Sequence, residues 1–181
     1  HITGIANGKD LPGFEWINGK LEFKDLVHIG LRNIDHGEKQ ILRDYNIKHY
    51  CMEEVTYKGI GKVMTEIFEY FKKNHNKNDP DYPINLSFDV DGIDYQFMKQ
   101  TGTICRGGLT DREGHHIIRR IVETGKLVSM DLVEFNPLLG DEYAKKERIN
   151  THGDFDYIKG TDSACISLEL IQSALGYRLC L

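Results

Sequence analysis

The 181-residue sequence has no CxxC pair: its four cysteines, Cys51, Cys105, Cys165 and Cys180, lie far apart. Zinc-ribbon and dithiol-redox sites need close pairs, so the four are read as free thiols of a reducing compartment. No run approaches the roughly 20 apolar residues that cross a bilayer. No signal peptide is visible, and the chain opens His1-Ile2-Thr3-Gly4 without a methionine, as a fragment or processed form would. The expectation that follows is a cytoplasmic protein with no membrane contact. Excess positive charge is also missing: the net charge is −5, which points away from a general nucleic-acid surface. Gly59-Ile60-Gly61-Lys62 lacks the full phosphate-loop pattern and is discounted. No repeat or low-complexity tract is evident. What remains is an ordinary globular composition, 40% hydrophobic and 28% charged, long enough for one domain with a real core.

The stretch around which the chain is organised is Leu86-Ser87-Phe88-Asp89-Val90-Asp91-Gly92-Ile93-Asp94. Ile84, Leu86 and Phe88 alternate with Asn85 and Ser87, the pattern of a strand with one face in the core. Residues two apart on an extended chain point the same way, so Asp89 and Asp91 can aim at one point beyond the strand end. Two converging carboxylates repel unless a cation lies between them or one keeps a proton. A hard divalent ion suits such oxygen donors. The alternative is an Asx-type turn that caps the strand.

Along the chain, 1–20 is read as a Gly-rich loop, with His1 a terminus or a proton shuttle. Leu26–Leu31 is read as a strand buried on both faces, with His28 a satisfied core histidine. A helix is expected from near Gly37 to Tyr45, and a second strand over His49–Met52. Ile60, Val63, Met64, Ile67, Phe68 and Phe71 recur at helical spacing, so their stripe is core. Residues 74–83 form a surface loop, and 95–109 a longer one. Thr110-Asp111-Arg112-Glu113 matches a capping box and starts a helix with Ile117, Ile118, Ile121 and Val122 inside; Gly125 ends it. Leu127–Val133 is a strand, with Glu134 at its end. Residues 138–160 are charged and irregular. A last helix opens at Thr161 or Asp162, with Ala164, Leu168, Ile171 and Leu175 as its inner face, and 177–181 is an apolar tail. Alternating strands and helices predict an α/β fold: a mainly parallel sheet with helices on both faces. Sites in such sheets form beyond the strands' carboxyl ends, where Asp35 with Glu38, Asp89 with Asp91, and Glu134 all fall.

Four motifs make the sequence resemble the arginases, a branch of the manganese-dependent ureohydrolases. Ser87–Asp94 resembles the signature SFDVDGxDP. Thr101-Gly102-Thr103 and Gly107–Gly114 resemble ATGTP…GGLTxREG. Asp131–Pro137 resembles D-x-x-E-x-NP, and Ile29–Glu38 resembles IGLRDVDxxE. The resemblance implies a three-layer α/β/α fold and one catalytic domain over 1–181, incomplete on its N-terminal side. It implies hydrolysis of L-arginine to L-ornithine and urea by a hydroxide bridging two Mn(II) ions. By match, Asp89 and Asp91 would ligate metal, with Asp91 and Glu134 in the catalytic set. Glu134 would face the guanidinium, Asp35 with Glu38 would hold the substrate α-amino group, and Thr103 would line the pocket. Arg112 and Glu113 would lie at a subunit contact of a homotrimer.

Several positions depart from the pattern. GGDHS-like and DAHxD-like segments, which carry the family's other metal ligands, are not found in the sequence, and His1 lacks the surroundings of the shuttle histidine. Asn33 stands where Asp is expected, Tyr95 where proline is expected, and Ile104-Cys105-Arg106 replaces an apolar stretch with proline. Without the sheet's first strands, a sheet face or edge would be exposed. The departures leave open a non-catalytic assembly or amino-acid-binding protein. A sister ureohydrolase acting on agmatine is also open, although Asp35 and Glu38 argue against agmatine.

Overall fold

A computed structural model describes residues 3, 12–16, 21–75, 82–139 and 162–178. His1, most of the 1–20 loop, the middle of the 74–83 loop, 140–161 including Thr161, and 179–181 lie outside the described residues. The chain divides into two compact units, His1–Pro80 and Asp81–Leu181, each with one parallel strand pair.

In the first unit β1 (Val27–Leu31) leads to α1 (His36–Asp44), and β2 (Lys48–Cys51) returns parallel to β1. Such a return needs a crossover, which α1 supplies. The register shifts between Ile29 and Leu31, where buried Gly30 takes φ 85 and absorbs the bulge. β1 is not buried on both faces: His28 is exposed, and its neighbours are half-buried apart from Gly30. Among the described residues its one strand partner is β2. β2 runs straight into α2 (Met52–Lys58), an element the sequence reading did not anticipate, and α3 (Ile60–Asn74) follows. Gly59 at φ 77 separates the two helices, which explains why one apolar stripe began only at Ile60. Val63, Met64 and Ile67 are buried as their spacing predicts. Tyr50 is fully buried on the opposite face of β2 from His49. Its hydroxyl donates to Glu66 Oε2 at 3.1 Å, and Lys58 reaches the same oxygen at 2.8 Å.

In the second unit β3 (Ile84–Asp89) and β4 (Leu127–Val133) are parallel neighbours, joined through α4 (Asp111–Val122) and followed by α5 (Asp162–Ala174). Thr110 caps α4 as expected: its hydroxyl accepts from the Glu113 amide at 3.2 Å, and Glu113 Oε2 accepts from the Thr110 amide at 2.8 Å. Ile117, Ile118 and Ile121 are buried, each worth about 1.5–3 kcal/mol of transfer free energy. Gly125 ends the segment at φ 69. Both helices lie on the Phe88 face of the strands. A Cβ on Gly114 would come within 3.2 Å of Phe88 and 3.3 Å of Leu170. The opposite face, Asn85, Ser87, Asp89, Ser129, Asp131 and Val133, stays exposed.

The inner face of α5 differs from the expected one. Ser163, Ser167, Leu170 and Ser173 are buried, while Ile171 and Leu175 are 40% and 83% exposed. Each serine is satisfied internally: Ser163 Oγ accepts from the Lys99 amide (3.0 Å), Ser167 Oγ donates to Ser163 O (2.8 Å), and Ser173 Oγ meets His115 Nδ1 (2.8 Å). Hydroxyls with partners can be buried at little cost, and small side chains allow the close approach at Gly114.

Candidate metal and substrate site

At the end of β3 the chain folds into a 3₁₀ turn, Val90–Gly92, pinned by buried Val90 and Ile93. Asp89 Oδ1 accepts the Asp91 amide at 3.0 Å, so the Asx-type turn and the proposed ligand pair are one structure. At this strand end Asp89 is exposed and Asp91 half-buried. Asp94, the third carboxylate of this stretch, is folded into the chain instead. Its Oδ2 accepts the amides of Gly107 (2.6 Å) and Gly108 (3.0 Å), and its Oδ1 accepts that of Gln96 (2.9 Å). The loop thereby returns to Leu109, whose carbonyl accepts from the Asp94 amide at 2.7 Å. Gly108 permits this closure, because a Cβ there would stand 2.7–2.8 Å from the backbone of Gly92, Ile93 and Asp94. The sequence carried this signal in the spacing of Asp94 from Gly107-Gly108, but only a folded loop brings them together.

Glu134 ends β4, one residue beyond Val133, which pairs with Asp89. Asp89 and Glu134 therefore stand at the tips of adjacent parallel strands, with Asp91 beside them on the same edge. Glu134 is exposed and holds φ 66, a left-handed conformation that costs a non-glycine residue about 1–3 kcal/mol. The following residues hold it there. Phe135 bridges to Thr101, the Asn136 amide donates to Gln100 O at 2.9 Å, and Gln100 Nε2 donates to Pro137 O at 3.0 Å. Two residues before the tips, Ser87 Oγ donates to Asp131 Oδ1 at 2.5 Å across the polar face. That contact also lies beyond what sequence spacing shows.

The remaining expected residues have local roles. In the first unit Asp35 is the N-cap of α1: its Oδ1 accepts the Glu38 amide at 2.8 Å, and Glu38 Oε2 accepts the Asp35 amide at 3.0 Å. The D-x-x-E spacing of Asp35 and Glu38 is that of a capping box. In the second unit Thr103 is exposed in the 95–109 loop. Arg112 is exposed on the first turn of α4, and Glu113 is spent on capping. Cys51, Cys105 and Cys165 stand as thiols.

Asp89 and Asp91 are hard-oxygen donors at one strand end, the kind a divalent ion takes. They fit Mn(II) in type but not in number. Among the described residues, no group of three or more His, Cys, Asp or Glu side chains could hold a metal ion. No helix of the described residues is long and apolar enough to cross a membrane.

Fold and edge define an α/β protein with carboxylates gathered where parallel strands end. Residues 9–150 match the Arginase family profile, and the chain belongs to that family. It is 45% identical to mouse Arginase-1 over 143 residues, covering 78% of this chain and 43% of that protein. Against the arginase of Glaciozyma antarctica (strain PI12) it is 47% identical over 135 residues, 75% of this chain and 38% of that one. The solved cold-adapted arginase from G. antarctica superposes with TM-score 0.69 at 35% identity, over 97% of this chain and 50% of that chain. The Entamoeba histolytica arginase solved with L-ornithine gives TM-score 0.70 at 28% identity, over 89% and 46%. The chain thus spans less than half the length of the curated relatives it matches.

Proposed function

We propose that this chain is part of an arginase, hydrolysing L-arginine to L-ornithine and urea once the rest of its metal site is supplied. The observation that supports this most is the shared strand edge, with Asp89, Asp91 and a backbone-strained Glu134. Strain of that kind persists where the surroundings over-determine it, and it concentrates at functional sites. In this reading residues 1–181 belong to one catalytic domain, and Asp89 and Asp91 are oxygen ligands of Mn(II). A bound metal supplies a hydroxide near neutral pH by lowering the pKa of its water. Glu134 offsets the cationic guanidinium, and its fixed backbone keeps the carboxylate at one place on the edge. Thr103 lines the pocket, and Asp35 holds the substrate α-amino group with Glu38 in support. Arg112, exposed on α4, and its neighbour Glu113 serve a homotrimer contact. The location proposed is cytoplasmic.

One part of the sequence argument weakens. Asp35 and Glu38 cap α1 whatever the substrate, so their presence does not by itself separate arginine from agmatine. Comparing the two substrates decides that point. The activity is tested by urea release from arginine by the complete protein, with and without Mn(II). Metal-dependent release, lost in D89N/D91N, is expected. No urea at saturating metal sinks the proposal and favours the assembly or amino-acid-binding reading. The 181-residue chain alone should bind Mn(II) weakly and release no measurable urea.

A further inference from the structure

We propose that His28 and His49 form a two-imidazole site for a borderline divalent transition ion, such as Zn(II) or Ni(II), on the His28 face of the β1–β2 pair. In the parallel register His28 lies opposite His49. Aligned residues on neighbouring strands project from the same face, and the strands run about 4.8 Å apart, which suits two side chains sharing one ion. His28 is exposed and His49 half-buried, so an ion can reach them from solvent.

His49 is already oriented as a ligand. Its Nδ1 lies 2.8 Å from the Ile47 carbonyl oxygen. A carbonyl only accepts, so Nδ1 carries the hydrogen, and in the neutral ring the lone pair is on Nε2. Metal-binding histidines are commonly held in this way, by a carbonyl on the ring nitrogen that does not bind. His28 is prepared differently. Partial desolvation by the surrounding chain, then the adjoining His49, lower its pKa, while Glu38 raises it. A lowered pKa favours the neutral ring, the form that ligates.

Imidazole nitrogen favours Zn(II), Ni(II) and Cu(II) over Mg(II) and Mn(II). The pair thus differs in ion preference from the Asp89–Asp91 carboxylates, and the proposal does not rest on the arginase reading. With no third His, Cys, Asp or Glu converging among the described residues, water completes the coordination. An ion bridging β1 and β2 binds only the folded state and so stabilises it.

The test is Zn(II) titration of the full chain, followed by imidazole NMR shifts and by calorimetry. One equivalent should shift His28 and His49 first. H28A and H49A should each weaken binding about tenfold or more, whereas D89N/D91N should leave it unchanged. H28A removes an exposed side chain, and far-UV dichroism verifies that its fold is intact, so it decides the matter even if H49A unfolds. Undiminished Zn(II) affinity in H28A, or zinc shifts confined to other histidines, overturns the proposal.

Discussion

His115 Nδ1 lies 2.8 Å from Ser173 Oγ, a buried contact that joins α4 to α5. Ser173 is 1% exposed and His115 3%, so water cannot replace either partner. S173A should therefore destabilise the chain by about 1–3 kcal/mol, the cost of an orphaned buried polar group. I171A, on the exposed side of α5, should change stability by less than about 0.5 kcal/mol. Urea denaturation of the two variants checks the assignment. The opposite ranking would restore the apolar face as the inner one.

The same histidine gives a pH dependence. Burial lowers the pKa of His115, against the pull of Glu169 and Asp111, and burial likewise lowers that of His116. The folded chain thus resists protons that the unfolded chain accepts near pH 6.5. Above that pH both states are neutral at these rings and stability is unaffected. As pH falls through and below it, the unfolded state gains protons first and stability declines. The urea midpoint should accordingly drop between pH 7.5 and pH 5, and the drop should shrink in a variant with His115 replaced by a neutral isostere such as Gln.

Gly108 and Gly102 belong to one loop but face different surroundings. A Cβ at 108 meets backbone at 2.7–2.8 Å, whereas at 102 nothing stands within 4 Å. Backbone atoms cannot swing away as a side-chain tip can. G108A should cost at least about 1–3 kcal/mol, while G102A should be neutral or stabilising by a few tenths of a kcal/mol. Thermal melts of the pair measure the difference directly.

Asp94 should be as important to that loop as Gly108. Its carboxylate accepts three backbone amides, two of them from Gly107 and Gly108. D94N turns one oxygen into a donor facing N–H groups, so a loss of about 2 kcal/mol is expected, because bonds to a charged acceptor are worth about 1.5–3 kcal/mol. Faster amide exchange at 107 and 108 is the local readout.

How far these features could be read from sequence depends on whether the cause is local. The limits of β4, the Thr110–Glu113 cap and the Ile117–Ile121 face are set by residues within one turn or one strand, and all were legible. The α5 face was not, because its serines become core residues only through Lys99 and His115, which are distant in sequence. His28 was misread for a related reason: an apolar run suggests two buried faces, but exposure depends on which strands lie alongside. The Asp89–Asp91 pairing was visible at spacing two. The strand–helix alternation also put Glu134 at the same carboxyl-end edge; that its strand is the immediate neighbour of β3 was not legible, since it requires the register that places Asp89 opposite Val133.

Glu134 connects that register to function, and its backbone permits a test that separates stability from activity. At φ 66 glycine is unstrained and alanine is not. If the Thr101–Phe135 bridge and the Gln100 bonds to Asn136 and Pro137 hold this conformation against its cost, E134G should stabilise the chain by about 1 kcal/mol while E134A gains nothing. In the complete protein both substitutions remove the carboxylate and should abolish urea release together. A stabilised yet inactive E134G would show that the strained backbone is retained for the position of its side chain. If E134G were no more stable than E134A, the strain argument would fail, and Glu134 would have to be defended on its place at the strand edge alone.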